Sequence, residues 1–388
     1  MGTYNVLPVT ALDYRRLAEK RLPRFLFDYI DGGAGEEVSM SRNVSDLRNI
    51  RLAQRVMRDV GSIDTSTQLA GQQANMPLVL APVGLSGMFG RRGEVQGALG
   101  AQAAGIPFTT STVGICPIDE VNAATPTPAW FQLYMLRDRD IVLAMLERAR
   151  QAGSSTLVFT VDLAVTGKRY RDDRNGMIGA GLRGKLAKAW QLATRPRWVY
   201  DVGIRGKPHD FGNLREVVGD SSDLDAFKKF LDAQFDPTVT WKDIAWLREQ
   251  WQGQLLIKGV MCADDAKSAV DSGADGVVVS NHGGRQLEGV ASSISKLPKV
   301  AEAISGQAEV YMDGGIRSGT DVVKALCLGA DGVMIGRPWV WAMAARGVPG
   351  LTDMLRVFQS EIHVSMALMG VTRVSELTPE CVEFGDSA

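Results

Sequence analysis

The sequence predicts an α/β fold, a TIM-type (β/α)8 barrel with a helical N-terminal extension and a long insertion after strand four. Three observations carry this. From residue 77 onward, short apolar runs ending in a polar or glycine residue alternate with helix-like stretches. These runs are Leu78–Ala81, Phe108–Ser111, Trp130–Tyr134, Leu157–Asp162, Leu255–Lys258, Gly276–Ser280, Glu309–Asp313 and Gly332–Gly336. Most start roughly 20–30 residues apart, the length of one βα unit. The segments AAGIPF, QAGSSTLVF, DSGADGVVV and CLGADGVMI repeat one event: glycine at a helix C-terminus, a turn, then a strand buried on both faces.

The elements follow in order. Residues 1–76 form the extension, with a helix over Leu12–Arg21 followed by Phe25–Tyr29. The barrel occupies 77–345. Its helices include Ile141–Ala152 before Gly153, Asp264–Ser272 before Gly273, and Ser318–Leu328 before Gly329. Strands four and five start at Leu157 and Leu255, 98 residues apart, where about 25 would suffice. The excess, about residues 175–240, is an insertion at the functional end of the barrel, a lid or a docking surface. Residues 346–388 read as a C-terminal helical segment, and the whole chain as one domain.

The 388 residues carry 43 Lys and Arg against 44 Asp and Glu, a net charge of −1. That balance argues against a global nucleic-acid binder. Hydrophobic residues at 45% and charged residues at 22% argue against long disorder. Cys116, Cys262, Cys327 and Cys381 lie far apart, without metal-type spacing or disulfide density, which suits a reducing compartment. Asp13, Arg15, Arg16, Glu19, Lys20 and Arg21 speak against a secretory signal. The longest apolar run, Pro77–Gly90, is broken by prolines and glycines, so any membrane contact is expected at the surface.

In such barrels chemistry sits at the C-terminal strand ends. Those ends carry Pro82-Val83-Gly84, Ser111, Gln132 and Tyr134, Asp162 with Arg169 just beyond, Lys258, the run Ser280 to Arg285, Asp313-Gly314-Gly315 with Arg317, and Gly336-Arg337. Any one of these could merely satisfy backbone groups; all eight ends together point to a large functional mouth. DGGIRSG and IGR are glycine-rich turns beside helix starts, each with an arginine, as a phosphate cradle requires. Of three histidines, only His282 lies at a strand end, where it can move a proton near neutral pH. Arg285 follows it, able to hold a carboxylate bidentately. No second histidine or carboxylate stands at ligand spacing, so no metal is expected. No G-x-S-x-G elbow or nucleophile adjoins His282, which disfavours a hydrolase.

At these residues the chain resembles the FMN-dependent L-2-hydroxy acid dehydrogenase/oxidase family, which includes glycolate oxidase, L-lactate dehydrogenase and (S)-mandelate dehydrogenase. The resemblance rests on LPRFLFDYIDGGA (22–34), APVGLSGM (81–88), GIPFTTST (105–112), WFQLY (130–134), TVD (160–162), LLIKG (255–259), SNHGGRQLEG (280–289) and DGGIRSGTDVVKALCLGADGVMIGR (313–337). APVGLSGMFGRRGEVQ, KRYRD, KPHDFGNL and FDPTVTWKDIAWLR are most similar to the bacterial respiratory L-lactate dehydrogenases.

The resemblance implies the following roles. Tyr29 and Tyr134 line the substrate pocket, and Arg169 and Arg285 clamp the substrate carboxylate. His282 takes a proton from the 2-position, paired with Asp162. Lys258 stands near flavin N1. Pro82, Val83 and Gly84, with Ser111, Gln132, Thr160 and Ser280, contact the isoalloxazine and ribityl parts. Asp313, Gly314, Gly315, Arg317, Gly336 and Arg337 hold the ribityl chain and phosphate. Glu288 departs from an aspartate common in the family signature, and Gly84 from an alanine common in the oxidases.

The expected activity is FMN-dependent oxidation of L-lactate to pyruvate, with electrons passed to a quinone or other respiratory acceptor. The alternatives are a larger acid such as mandelate, oxygen as acceptor, an FMN- or phosphate-binding barrel without turnover, or a phosphosugar enzyme. Val113, Met88 and the insertion are expected to set substrate size.

A homo-oligomer is expected, lying peripherally on the cytoplasmic side of the inner membrane; a soluble cytoplasmic protein is the alternative. Between Ala180 and Lys207 stand Arg183, Lys185, Lys188, Arg195, Arg197, Arg205 and Lys207 against Asp201 alone. Leu182, Leu186, Ala189 and Trp190 share one helical face, and Trp198 and Tyr200 add interfacial aromatics. This reads as a helix lying on an anionic membrane, against the bland reading of a basic lid packed on the barrel.

Overall fold

The computed structural model describes residues 7–175, 181–215 and 233–384. Parts of the predicted extension (1–6), insertion (176–180 and 216–232) and C-terminal segment (385–388) lie outside the described residues.

The eight expected strands are present: β1 (Leu78–Leu80), β2 (Thr109–Ser111), β3 (Trp130–Leu133), β4 (Thr156–Thr160), β5 (Gln254–Val260), β6 (Gly276–Val279), β7 (Glu309–Asp313) and β8 (Gly332–Ile335). All pair in parallel with their sequence neighbours, and β8 pairs with β1. A parallel bridge between Leu80 and Phe108 closes the ring.

The interior is packed by Val79, Trp130, Val158, Leu256, Val278, Tyr311 and Met334. A hairpin of Thr67–Leu69 and Gln72–Ala74 stoppers its N-terminal end. The Ala70 amide donates to Glu309 at 2.9 Å, and the Trp130 indole donates to Gln72 at 3.0 Å. A plugged floor leaves the C-terminal face as the place for a ligand.

The extension does more than decorate the barrel. Helix α1 (Ala11–Arg21) starts at a Thr10/Asp13 capping box and buries Tyr14 and Ala18. Helix α2 (Arg24–Asp31) carries Tyr29 to the barrel mouth. Buried Asp31 locks it there through Arg15 at 2.6 Å and Arg171 at 2.8 Å. Helix α3 (Val38–Asn49) lies beside the loop after β6. In the insertion, α4 (Gly181–Ala193) rests on α2, where Gln191 accepts the Phe25 amide at 2.8 Å. After β8, α5 (Arg337–Met369) is broken by non-helical torsions at Gly347. The chain then returns, and Val382–Phe384 pairs antiparallel with Ile50–Leu52.

Candidate active site

A cavity of about 490 Å³ opens at the C-terminal strand ends. Most of the predicted residues meet on its wall: Tyr29, Pro82, Val83, Gly84, Tyr134, Thr160, Arg169, Lys258, His282, Arg285, Asp313, Gly314, Gly315, Arg317, Gly336 and Arg337.

His282 follows β6 in a left-handed turn, with φ of 56° at His282, 63° at Gly283 and 70° at Gly284. Two successive glycines suit such torsions; a histidine there is held by its surroundings. Its Nδ1 lies 2.8 Å from Asp162 Oδ1. Burial works to raise the Asp162 carboxyl, but the charge and hydrogen bond of His282, with Lys258, outweigh it and hold it below the ordinary carboxylate value. An ionised carboxylate can only accept, so the Nδ1–H of His282 is the donor in this contact, which fixes the ring with Nε2 as its other nitrogen.

Lys258, at the end of β5, donates to Ser280 at 2.9 Å and pairs with Asp313 at 2.8 Å. Burial opposes its charge, yet Asp313 and Asp162 keep the ammonium favoured.

The arginines make the cavity a receptor for anions. Arg285 Nη1 donates to the carbonyls of Tyr29 at 2.6 Å and Gly32 at 2.8 Å, and the guanidinium lies 5.0 Å from the Tyr29 ring centre. Arg169 approaches the same ring at 5.7 Å. Burial, then the charge of Arg169, pushes Arg285 down to about 9. Burial likewise pushes Arg317 and Arg337 down to about 10. Cations destabilised in this way gain most from an incoming negative charge. Burial pushes the Tyr134 hydroxyl up, with Asp162 adding to it, so it stays a donor.

The other predicted residues are placed as follows. Ser111, Gln132 and Ser280 do not line the cavity. Ser111 Oγ donates to Gln132 at 3.1 Å, and Gln132 Nε2 donates to Thr160 at 3.2 Å, a polar row tying β2, β3 and β4 together. Ser280 Oγ accepts from Lys258 and from the His282 amide at 3.0 Å. Arg337 reaches the cavity, but its three nitrogens donate to the carbonyls of Asp31, Gly283 and Gly32 at 3.1, 2.9 and 2.7 Å. These bonds brace three loops and use three of its five N–H groups, leaving two donors for a phosphate. Val113 lines the cavity and Met88 does not. Trp198 is buried, its indole donating to the Met88 carbonyl at 2.9 Å, so it cannot serve as an interfacial aromatic.

Among the wall residues that the sequence analysis did not single out are Phe235 and Asp172. Phe235, from the insertion, packs edge-on against Tyr134 with centroids 5.3 Å apart. Asp172 lies 3.7 Å from Arg169. Asp172 belongs to the KRYRD stretch and Phe235 opens FDPTVTWKDIAWLR, so both could have been suspected.

Residues 18–384 match the model of the family described as FMN-dependent dehydrogenase. The chain belongs to that family. Among curated relatives, the L-lactate dehydrogenase of Alcaligenes faecalis is 51% identical over 371 residues, 96% of this chain and 97% of the relative. The L-lactate dehydrogenase of Caulobacter vibrioides (strain NA1000 / CB15N) is 52% identical over 365 residues, 94% and 95% of the two chains. Among solved structures, the monotopic membrane protein (S)-mandelate dehydrogenase superposes with a TM-score of 0.91 at 33% identity, covering 97% of this chain and all of that one. A mandelate oxidase gives 0.82 at 35% identity, over 97% of this chain and 98% of that one.

The cofactor of this dehydrogenase is FMN, and the site fits it. Asp313 Oδ1 is buried without a partner, an acceptor suited to a ribityl hydroxyl. Gly314 and Gly315 take φ of 96° and 87°, turning backbone toward the cavity as side chains could not. The α5 N-terminus opens at Gly336 on the same wall, suiting a phosphate.

Proposed function

We propose that this dehydrogenase oxidises L-lactate to pyruvate and passes the electrons to a quinone or similar respiratory acceptor at an anionic membrane surface. The observation that carries the reaction is His282, backed by Asp162 at 2.8 Å and lining the same cavity as Arg169, Arg285 and Tyr29.

Arg285 and Arg169 bind the carboxylate, with the Tyr29 ring between them as a spacer. Tyr134, kept protonated, donates to the substrate and fixes which face of C2 is presented. His282 Nε2 takes a proton from the bound acid, and Asp162 stabilises the imidazolium that results. Lys258 holds positive charge beside Asp313 at the cavity floor, where electron density arrives. Bound FMN supplies the two-electron acceptor. Arg317, Gly314, Gly315 and Gly336 hold its phosphate end, with Arg337 keeping those loops in place. The half-identical L-lactate dehydrogenases favour lactate; the mandelate enzymes make mandelate the competing acid.

Membrane attachment is supported by the way α4 sits. Gly184 is buried and Lys188 lies over the Phe25 ring, while Leu182, Leu186 and Trp190 are 75%, 64% and 72% exposed. An apolar stripe turned outward beside Arg183 and Lys185 fits a lipid surface better than a lid packed on the barrel. The monotopic character of the mandelate dehydrogenase agrees with this. No described helix is long and apolar enough to cross a membrane. We place the protein peripherally on the cytoplasmic side, as a homo-oligomer.

Anaerobic addition of L-lactate and L-mandelate to the yellow holoenzyme tests the chemistry. Faster bleaching by lactate is expected; bleaching by neither acid refutes the reading. Sedimentation with phosphatidylglycerol vesicles tests attachment. Wild type should pellet at low salt and a Leu182→Ser/Leu186→Ser/Trp190→Ser variant should not; equal behaviour of the two refutes the assignment.

A further inference from the structure

The His282 turn takes a conformation that a histidine rarely adopts, and Asp162 alone does not impose it. What lies behind the turn is α3, about 240 residues earlier in the sequence (compare Asn43 with Asn281). Asn43 and Asn281 form a closed amide pair: Asn43 Nδ2 donates to Asn281 Oδ1 at 2.8 Å, and Asn281 Nδ2 donates back to Asn43 Oδ1 at 2.9 Å. Both are buried. Most of the remaining capacity is also used. Asn281 Oδ1 accepts the Gly284 amide at 3.0 Å, closing the turn that contains His282. Asn281 Nδ2 also donates to the Ala291 carbonyl at 3.1 Å, and Asn43 Oδ1 accepts the Ser293 amide at 3.2 Å.

The helix that carries Asn43 is itself pinned to this loop. Its first turn lacks an N-cap side-chain bond of its own, and Glu288 supplies one from the loop, accepting the Val38 amide at 2.7 Å and the Ser39 amide at 3.4 Å. Ser39 Oγ in return accepts the Gly289 amide at 2.8 Å. On its other side, the Asn43 carbonyl lies where a Cβ on Gly315 would come within 2.1 Å. The helix is thus wedged between the His282 loop and the Gly314–Gly315 turn. This also accounts for the glutamate at 288, whose two oxygens span consecutive amides.

We propose that Asn43 is a positioning residue for the oxidation: through Asn281 it holds the left-handed turn that points His282 into the cavity. The inference rests on the reading of His282 as the proton acceptor. A buried, reciprocally bonded amide pair is the kind of contact that fixes a single loop conformation, since breaking it strands polar atoms on both partners.

The test uses holoenzyme of wild type, Asn43→Leu and the smaller, polar Asn43→Ser. kcat per bound FMN, the effect of deuterium at C2 of lactate, and the Kd of oxalate are measured. The expected result is a fall in kcat of at least fivefold and a larger isotope effect, with the oxalate Kd within twofold of wild type. If kcat falls less than fivefold, Asn43 is only structural, whatever happens to Tm, and the proposal is overturned. It is also overturned if oxalate binding weakens in step with kcat, since the carboxylate clamp is then what was lost. Should Asn43→Leu yield no holoenzyme, Asn43→Ser is read against the same limits. Failure of wild type to be bleached by any L-2-hydroxy acid overturns the functional reading and this inference with it.

Discussion

Arg285→Lys separates two tasks that one guanidinium performs. Arg285 Nη1 holds the carbonyls of Tyr29 and Gly32 at 2.6 and 2.8 Å, leaving Nε and Nη2 as donors for a ligand on the same side chain. A lysine has one nitrogen for both tasks and no fork. If the ammonium stays with the carbonyls, the substrate loses a charge-assisted contact worth about 1.5–3 kcal/mol, about 10- to 150-fold in affinity. If it turns to the substrate, two carbonyls lose their donor and the α2 terminus loosens, at about 1–3 kcal/mol of stability. Either way, the sum of the two losses should be at least about 1 kcal/mol. The assay is oxalate titration of the bound FMN spectrum, paired with urea unfolding of the same preparation. A variant with oxalate Kd and unfolding free energy both unchanged would show that Arg285 performs neither task.

Three further outcomes follow from the geometry. His282→Gln should retain FMN but lose about 10²–10⁴-fold in kcat, because the base is gone while the turn remains; retention of a tenth of wild-type kcat excludes His282 as the proton acceptor. Asp31→Asn should destabilise the fold by about 3–5 kcal/mol at neutral pH, since Arg15 and Arg171 lose a buried partner. Burial raises Asp31, but the two arginines outweigh it and hold it below 3.8. Its contribution is therefore complete above pH 3.8 and lost as the pH falls through the lower folded value; a difference between wild type and variant that grows on acidification would contradict the pairing. Gly84→Ala would place a Cβ 2.6 Å from Val113 Cγ2, so about 1–3 kcal/mol of overpacking should appear in urea unfolding, and Val113→Ala should relieve it.

The sequence by itself determined the barrel and the direction of its chemistry. Strands joined one after another by helices pair in parallel, and parallel strands deliver their last residues to one face. Asp162, Lys258, His282 and Asp313 could therefore be collected from strand ends before any contact was known. Local patterning also read the α4 stripe correctly, because Leu182, Leu186 and Trp190 need only helical spacing to share a face.

What spacing could not decide was which groups from distant segments would meet. Trp190 and Trp198 look alike in the sequence, yet one is exposed and the other caps the Met88 carbonyl. Arg337 reads as a phosphate ligand, and the tertiary fold adds a second task by bringing the Asp31, Gly32 and Gly283 carbonyls within its reach, since unpaired buried carbonyls are costly. Asn43 carries no motif, and neither it nor Phe235 takes on meaning until it stands opposite Asn281 or Tyr134. Periodicity fixes a residue's face within its own element; the partner across the interface is chosen by packing and hydrogen-bond satisfaction over the whole chain, and only the tertiary structure decided that.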